Sequence, residues 1–187
     1  MSTPPPFLSG QFLLSMPGMG DERFARALIA VCSHDEESAL GLIVNHIRGD
    51  VTLHGLLEQL EVEVGDLPDG PVFSGGPVEP QRGFVLHSPE YEGQGTLNVA
   101  GRWALTATLD ILRDIANGKG PEKWLVALGY TGWGEGQLEE ELTRHGWLPA
   151  QGAEALIWDT PTEDRWRRAY QAEGIDVGLM SPNAGNA

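Results

Sequence analysis

The side chains in this chain that could do chemistry are few and scattered. Its one cysteine, Cys32, stands just before His34 and Asp35, which would supply a thiol with a base and an acid. A reactive thiol needs a cationic or basic setting to lower its pKa. Cys32 instead ends the apolar run Ala27–Cys32, and catalytic partners meet in space rather than along one strand. Cys32 is therefore expected to be a buried core residue. The five histidines are His34, His46, His54, His87 and His145, and none forms H-E-x-x-H or another paired ligand spacing. One cysteine allows neither an internal disulfide nor a Cys-based zinc site. No metal and no cofactor is expected. His87 follows Arg82-Gly83-Phe84 at the end of an apolar run. It either faces a cleft as a base or ends a strand with both nitrogens satisfied.

Two glycine-rich stretches are the other candidates. Gly129–Glu139 carries four glycines, Tyr130 and Trp133 between an apolar run and a helical segment. Glycine permits positive φ and close approach of a second backbone. The stretch reads as a tight turn or as a cradle at a helix start. Its spacing is not G-x-G-x-x-G, and Glu139-Glu140-Glu141 would repel a phosphate there. Ser74-Gly75-Gly76 lacks the preceding glycine of a nucleophile elbow. Its N–H groups either form an anion nest or make a turn at a sheet corner. Gly118-Lys119 lacks the rest of a phosphate-binding loop.

The elements that must position these residues follow from periodicity and turn chemistry. Gln11–Ser15 reads as a strand. Ala27–Cys32 and Ala39–Val44 read as an antiparallel hairpin across a polar turn. Leu53, Leu56, Leu57 and Leu60 fall at helical spacing behind Thr52 as N-cap. Pro71–Phe73 and Gly83–His87 read as strands, with Thr96–Val99 as a further short one. Leu105, Leu109, Leu112, Ile115 and Ala116 mark a helix ended by Asn117-Gly118. Leu125–Leu128 reads as a strand, Gln137–Thr143 as a helix and Ala155–Trp158 as a strand. Thr160-Pro161-Thr162-Glu163 reads as a capping box before a helix whose buried stripe is Trp166, Ala169 and Tyr170 and which Gly174 ends. This mixture predicts one α+β domain with a mixed or curled sheet, not a doubly wound parallel sheet. Residues 1–7 and 180–187 read as irregular tails.

The chain has 187 residues, 41% of them hydrophobic, enough for one domain with a sizeable core. Twelve Lys+Arg face twenty-seven Asp+Glu, a net charge of −15. That balance opposes a phosphate-binding surface and docking on anionic lipid. The proline-rich start lacks the pattern of a signal peptide, and no apolar run reaches the length of a membrane span. A reducing cytoplasm is the expected setting.

Several ordered blocks together resemble the YqgE/AlgH family of bacterial proteins. They are Leu8–Met19, Cys32-Ser33-His34, Gly41–Asn45, Gly75–Val78, Arg82–His87, Gly129–Glu139 and Trp147-Leu148. The resemblance runs nearly the whole chain. It implies a small curled, barrel-like sheet surrounded by helices, in a bacterial cytosolic protein with no established enzymatic activity. Some members carry a transcriptional-regulator label, and no catalytic residues are recognised across the family. Four positions depart from the family pattern. His46-Ile47 stands where a basic residue and proline are usual, Ser38 replaces a glycine, and Asn186 replaces a histidine.

The residues leave three readings open. The leading one is a non-enzymatic regulatory or binding module acting through a protein or small-ligand partner. The others are a hydrolase-like enzyme with His87 or His34 as base, and a direct DNA-binding regulator. Ligand, partner and oligomeric state are not readable from the residues. A binding surface is expected from strand ends and turns, where rigid elements present polar and aromatic groups. Its members are Met16, Gly18, Asp21, Asn45, Ser74, Gly75, Gly76, Arg82, His87, Tyr130, Trp133 and Gln137. Arg82 is the expected partner for an anion and Trp133 the expected anchor.

Overall fold

Short apolar runs of strand length build the sheet of this molecule. The computed structural model describes residues 7–144 and 146–179. In chain order the strands and helices are β1 (Phe12–Ser15), β2 (Leu28–His34), β3 (Ala39–Ile43), β4 (Ile47–Thr52), α1 (Leu53–Gln59), β5 (Pro71–Ser74), β6 (Val78–His87), β7 (Leu97–Val99), β8 (Trp103–Thr106), α2 (Leu109–Ala116), β9 (Trp124–Trp133), α3 (Gln137–Thr143), β10 (Trp147–Ala150), α4 (Ala155–Trp158) and α5 (Arg165–Ala172). The expectations for residues 1–6, His145 and residues 180–187, Asn186 among them, lie outside the described residues.

The strands form one curled sheet in the order β10-β1-β2-β3-β9-β6-β8-β7, with β5 beside β9 and β4 beside β5. Every pairing is antiparallel except β5 with β9. Both faces are covered along β1, β2, β3, β8 and most of β9, which is why those runs are nearly continuous. Alternate side chains of one strand serve different cores. Phe12, Leu14, Leu28, Ala30 and Cys32 point into the core closed by Leu156, Ile157, Trp166, Ala169 and Tyr170. Leu13, Ile29 and Val31 point the other way, onto Leu138, Trp133 and Trp147. On β9, Val126 and Leu128 leave the first core for a third, beneath α1 and α2.

The expected hairpin forms: β2 pairs with β3 from Ile29↔Ile43 to His34↔Ala39, with a bulge between Val31 and Ser33. Asp35 closes it, its Oδ1 accepting the N–H groups of Glu37 and Ser38 at 2.8 and 2.9 Å. Thr52 caps α1, its hydroxyl accepting from Gly55 N–H at 3.2 Å. Trp166, Ala169 and Tyr170 are the buried face of α5. Arg165 adds a tether by donating to the carbonyls of Val44 and Thr160.

Four expectations are corrected. Gly129–Trp133 is strand, not a turn: β9 runs ten residues, pairing its first half with β5 and β6 and its end with β3. The glycines serve a backbone crossing. A Cβ on Gly76 would lie 2.2 Å from the Tyr130 carbonyl carbon, and one on Gly129 (φ +80°) 2.4 Å from Gly76 O. Leu105 belongs to β8, so α2 starts at Leu109. Ala155–Trp158 is a short helix; four residues with an apolar centre do not distinguish the two periods. The capping box does not form, because Thr160 Oγ1 donates to Ala155 O instead. A 3-10 turn, Thr162–Asp164, precedes α5. The strands β4, β8 and β10 carried no clear signal. Pro149 within β10 is accommodated because β10 is an edge strand beside β1. Among the described residues, no helix is long and apolar enough to cross a membrane.

Candidate functional site

The corner after β3 sets the local geometry. Asn45 Oδ1 accepts Leu28 N–H at 2.9 Å, and its Nδ2 donates to Arg26 O at 2.7 Å. His46 Nε2 donates to Ala25 O at 2.9 Å, and its own carbonyl accepts Ser74 N–H at 2.7 Å. One dipeptide thus staples the 25–28 turn to the end of β5. Burial lowers the His46 pKa, with the Ala25 carbonyl opposing, so the ring is neutral at neutral pH.

Three concavities meet around this corner. A groove of about 970 Å³ lies between Met16–Met19, Ala25-Arg26, Asn45-His46, Thr162–Asp164 and Trp166-Arg167, with Val177 and Gly178 at its end. A second, of about 490 Å³, shares His46 and continues over Ile47, Ser74, Gly76 and Pro77 to Arg23. A third, of about 260 Å³, shares Arg23 and Pro77 and runs beneath Asp21, Trp133, Gln137, Glu141 and Trp147. The structure therefore brings Met16, Gly18, Asp21, Asn45, Ser74, Gly76, Trp133 and Gln137 onto one continuous face.

Four expected members are elsewhere. Gly75 is a sheet junction: its N–H bonds Leu128 O at 2.8 Å, and its carbonyl accepts from Ile43 N–H and the Thr131 hydroxyl. Arg82 lies on the exposed Glu79–Arg82 bulge of β6, already paired with Glu79 at 3.3 Å and stacked on Phe84. Tyr130 stands edge-on to Phe84; burial and the Glu79 carboxylate raise its pKa. His87 is fully buried. Trp133 is also corrected as an exposed anchor. It is 4% exposed and forms a wall, crossing Trp147 edge to face at 6.1 Å. Glu141 and Trp147 were not among the expected members of the face, although Glu141 sits one turn from Gln137, on the same helix face.

The catalytic candidates are bound into structure. The Cys32 thiol is 2% exposed, and burial pushes its pKa up to about 12. His34 Nδ1 accepts Leu8 N–H at 2.9 Å, so the proton sits on Nε2, which pairs with Glu139. At Glu139, burial raises the pKa, but its own backbone N–H and His34 outweigh it and hold the carboxyl low. His54 Nε2 donates to Leu67 O at 2.6 Å. His87 Nδ1 donates to Ser88 O at 2.8 Å, so Nε2 accepts from Thr106, which accepts from Thr96, which accepts Gly93 N–H. No three ligating side chains cluster as a metal site among the described residues.

A family model described as AlgH-like, DUF179, matches residues 12–178. A UPF0301 protein of Rhizorhabdus wittichii is 54% identical over 183 residues, covering 98% of each chain. A UPF0301 protein of Sphingopyxis alaskensis is 48% identical over the full length of both. The solution structure of the AlgH protein from Pseudomonas aeruginosa has a TM-score of 0.78 at 38% identity, covering both chains entirely. Protein DIP2367 from Corynebacterium diphtheriae has a TM-score of 0.72 at 19% identity over 92% of this chain and 90% of its own, and shares the fold alone. None of these names states an activity. On the extent of the model match and on these identities, the chain belongs to the AlgH-like family, the YqgE/AlgH group whose blocks it carries.

Proposed function

We propose that this protein is a non-enzymatic binding module that receives a partner protein along the face running from Met16–Met19 over His46 and Ser74–Pro77 to Trp133 and Trp147. The observation that carries this reading is the continuity of that face: three concavities share walls at His46, Arg23 and Pro77. Its corner is held by side chain–backbone hydrogen bonds, so the surface is preorganised, which lowers the cost of association. An extended, open face suits a protein surface; small-molecule sites bury most of their ligand. The bonds that occupy His34 and His87 favour binding over a hydrolase using either as base. Regulation through such a partner fits a chain of net charge −15 better than direct contact with DNA.

The test is capture from the native cytosol with three immobilised chains. Arg26→Glu with Ile47→Asp places charge changes on two exposed residues of the face, whereas Leu97→Asp alters an exposed apolar residue away from it. Partners held by the wild type and by Leu97→Asp should be lost by the double variant, with thermal stability unchanged. A partner that the double variant keeps refutes the reading.

A further inference from the structure

Three consecutive glutamates near the start of α3 meet different fates. Glu139 pairs with His34, and Glu140 pairs with Arg144 at 2.6 Å. Glu141 meets no cation among the described residues, and its Oε2 is buried without a hydrogen-bond partner. Burial raises the Glu141 pKa; the Trp133 indole N–H pulls the other way, and the Glu140 charge adds to the rise. Of the three carboxylates, Glu141 alone is paired with no ionisable side chain of the described residues.

The surroundings say which group suits it. Glu141 lines the third concavity beside Trp133, Trp147 and Phe24. Phe24 stands edge-on to Trp147 at 5.3 Å, and Trp133 crosses Trp147 at 6.1 Å. Arg23, the cation in the lining, is gripped by both oxygens of Asp21 at 3.0 and 2.7 Å, so that pair is neutral as a unit. What remains is one carboxylate against aromatic walls, in a space of about 260 Å³, the volume of roughly nine liquid waters. Aromatic faces attract cations, and a carboxylate matches the fork of a guanidinium. A guanidinium is also planar and more weakly hydrated than an ammonium, so it enters such a site at lower cost.

We propose that this cavity receives the guanidinium of an arginine side chain on the partner, with the Glu141 carboxylate accepting from its N–H groups and the crossed indoles of Trp133 and Trp147 forming the pocket wall. The assignment rests on the binding reading above and names the chemistry of one end of that face. The net charge of −15 draws a basic partner toward it.

The experiment is a titration of the full chain with N-acetyl-arginine amide, following the indole N–H signals of Trp133 and Trp147 by NMR. N-acetyl-citrulline amide, of nearly the same shape without the charge, is the control. Saturable shifts at both indoles are expected with the arginine probe. Affinity should be weaker by about tenfold or more with citrulline and in Glu141→Gln. Shifts that are absent or do not saturate, or equal affinity for citrulline, overturn the assignment. So does a folded Glu141→Gln chain that binds arginine as the wild type does. If that variant does not fold, the comparison of the two probes on the wild type decides. A silent cavity beside partner capture that the Arg26→Glu/Ile47→Asp chain loses removes this assignment and leaves the binding reading standing. Arginine binding beside unchanged capture by that double variant supports the cavity and removes the reading of the wider face.

Discussion

Histidine 87 shows how a residue suited to catalysis can be absorbed by structure. Both of its nitrogens are engaged, and the chain Gly93–Thr96–Thr106–His87–Ser88 assigns every proton along it. Burial lowers the pKa of its ring, opposed by the Ser88 carbonyl and the Glu90 charge. The sign of the linkage follows. The unfolded chain takes up a proton near the ordinary value of 6.5, and the folded chain resists it, so this group removes stability as pH falls below that value. Between about pH 7.5 and about pH 5, His87→Gln should therefore lose less thermal stability than the wild type. His46 acts in the same direction in both chains, so the difference isolates His87. At the upper pH the substitution should cost about 1–3 kcal/mol, because one amide cannot hold both the Thr106 and the Ser88 bonds with the geometry of the ring. An identical pH dependence in the two chains would show that His87 takes up its proton as readily in the fold as in the unfolded chain, and would refute the effect of burial.

Among the elements, the crossing of the β5–β6 turn over β9 carries the tightest constraint. A Cβ on Gly76 meets backbone atoms of Tyr130 and Thr131 at 2.2–2.5 Å, and backbone does not yield as a flexible side chain does. Gly136 caps α3 with φ +69°, and a Cβ there meets nothing within 4 Å. Gly136→Ala should cost only the left-handed strain, about 1–2 kcal/mol. Gly76→Ala should cost about 3 kcal/mol or more, since packing must also move. Urea unfolding midpoints compare the two, and equal costs would contradict the crossing. This contrast also explains the misreading of Gly129–Trp133. Glycines ordinarily punctuate strands, but here they admit a second backbone, and the strand continues.

For the whole molecule, charge and architecture give one prediction. With twelve Lys+Arg against twenty-seven Asp+Glu, a phosphate-neutralising surface is hard to assemble. The full chain should therefore fail to retain a labelled duplex at about 50 mM salt and at about 200 mM salt alike. Binding that falls steeply between those concentrations would restore the direct DNA-regulator reading. The curled sheet, covered on both faces along its central strands, accounts for much of the rest. It lets short strands serve three cores, and it places loops from distant parts of the sequence on one face.

Local signals were enough for the β2–β3 hairpin, the Thr52 cap of α1, the limits of α3, the buried stripe of α5 and the burial of Cys32. Each depends on residues a few positions apart: a turn, a cap, an apolar period. The family blocks were equally legible, because they are ordered strings. The face itself was only partly so. Met16, Asn45, Ser74 and Gln137 were in reach as polar or flexible residues at element ends, but nothing local separates Arg82, turned out on its bulge, from Trp133, walled in by Trp147. Nor does anything local show that Gly75 N–H will meet Leu128 O, or that Glu141 alone among three adjacent glutamates lacks a cation among the described residues. Those outcomes are set where strands far apart in the chain come together, and a pattern read along one segment holds no information about which backbone will lie across it.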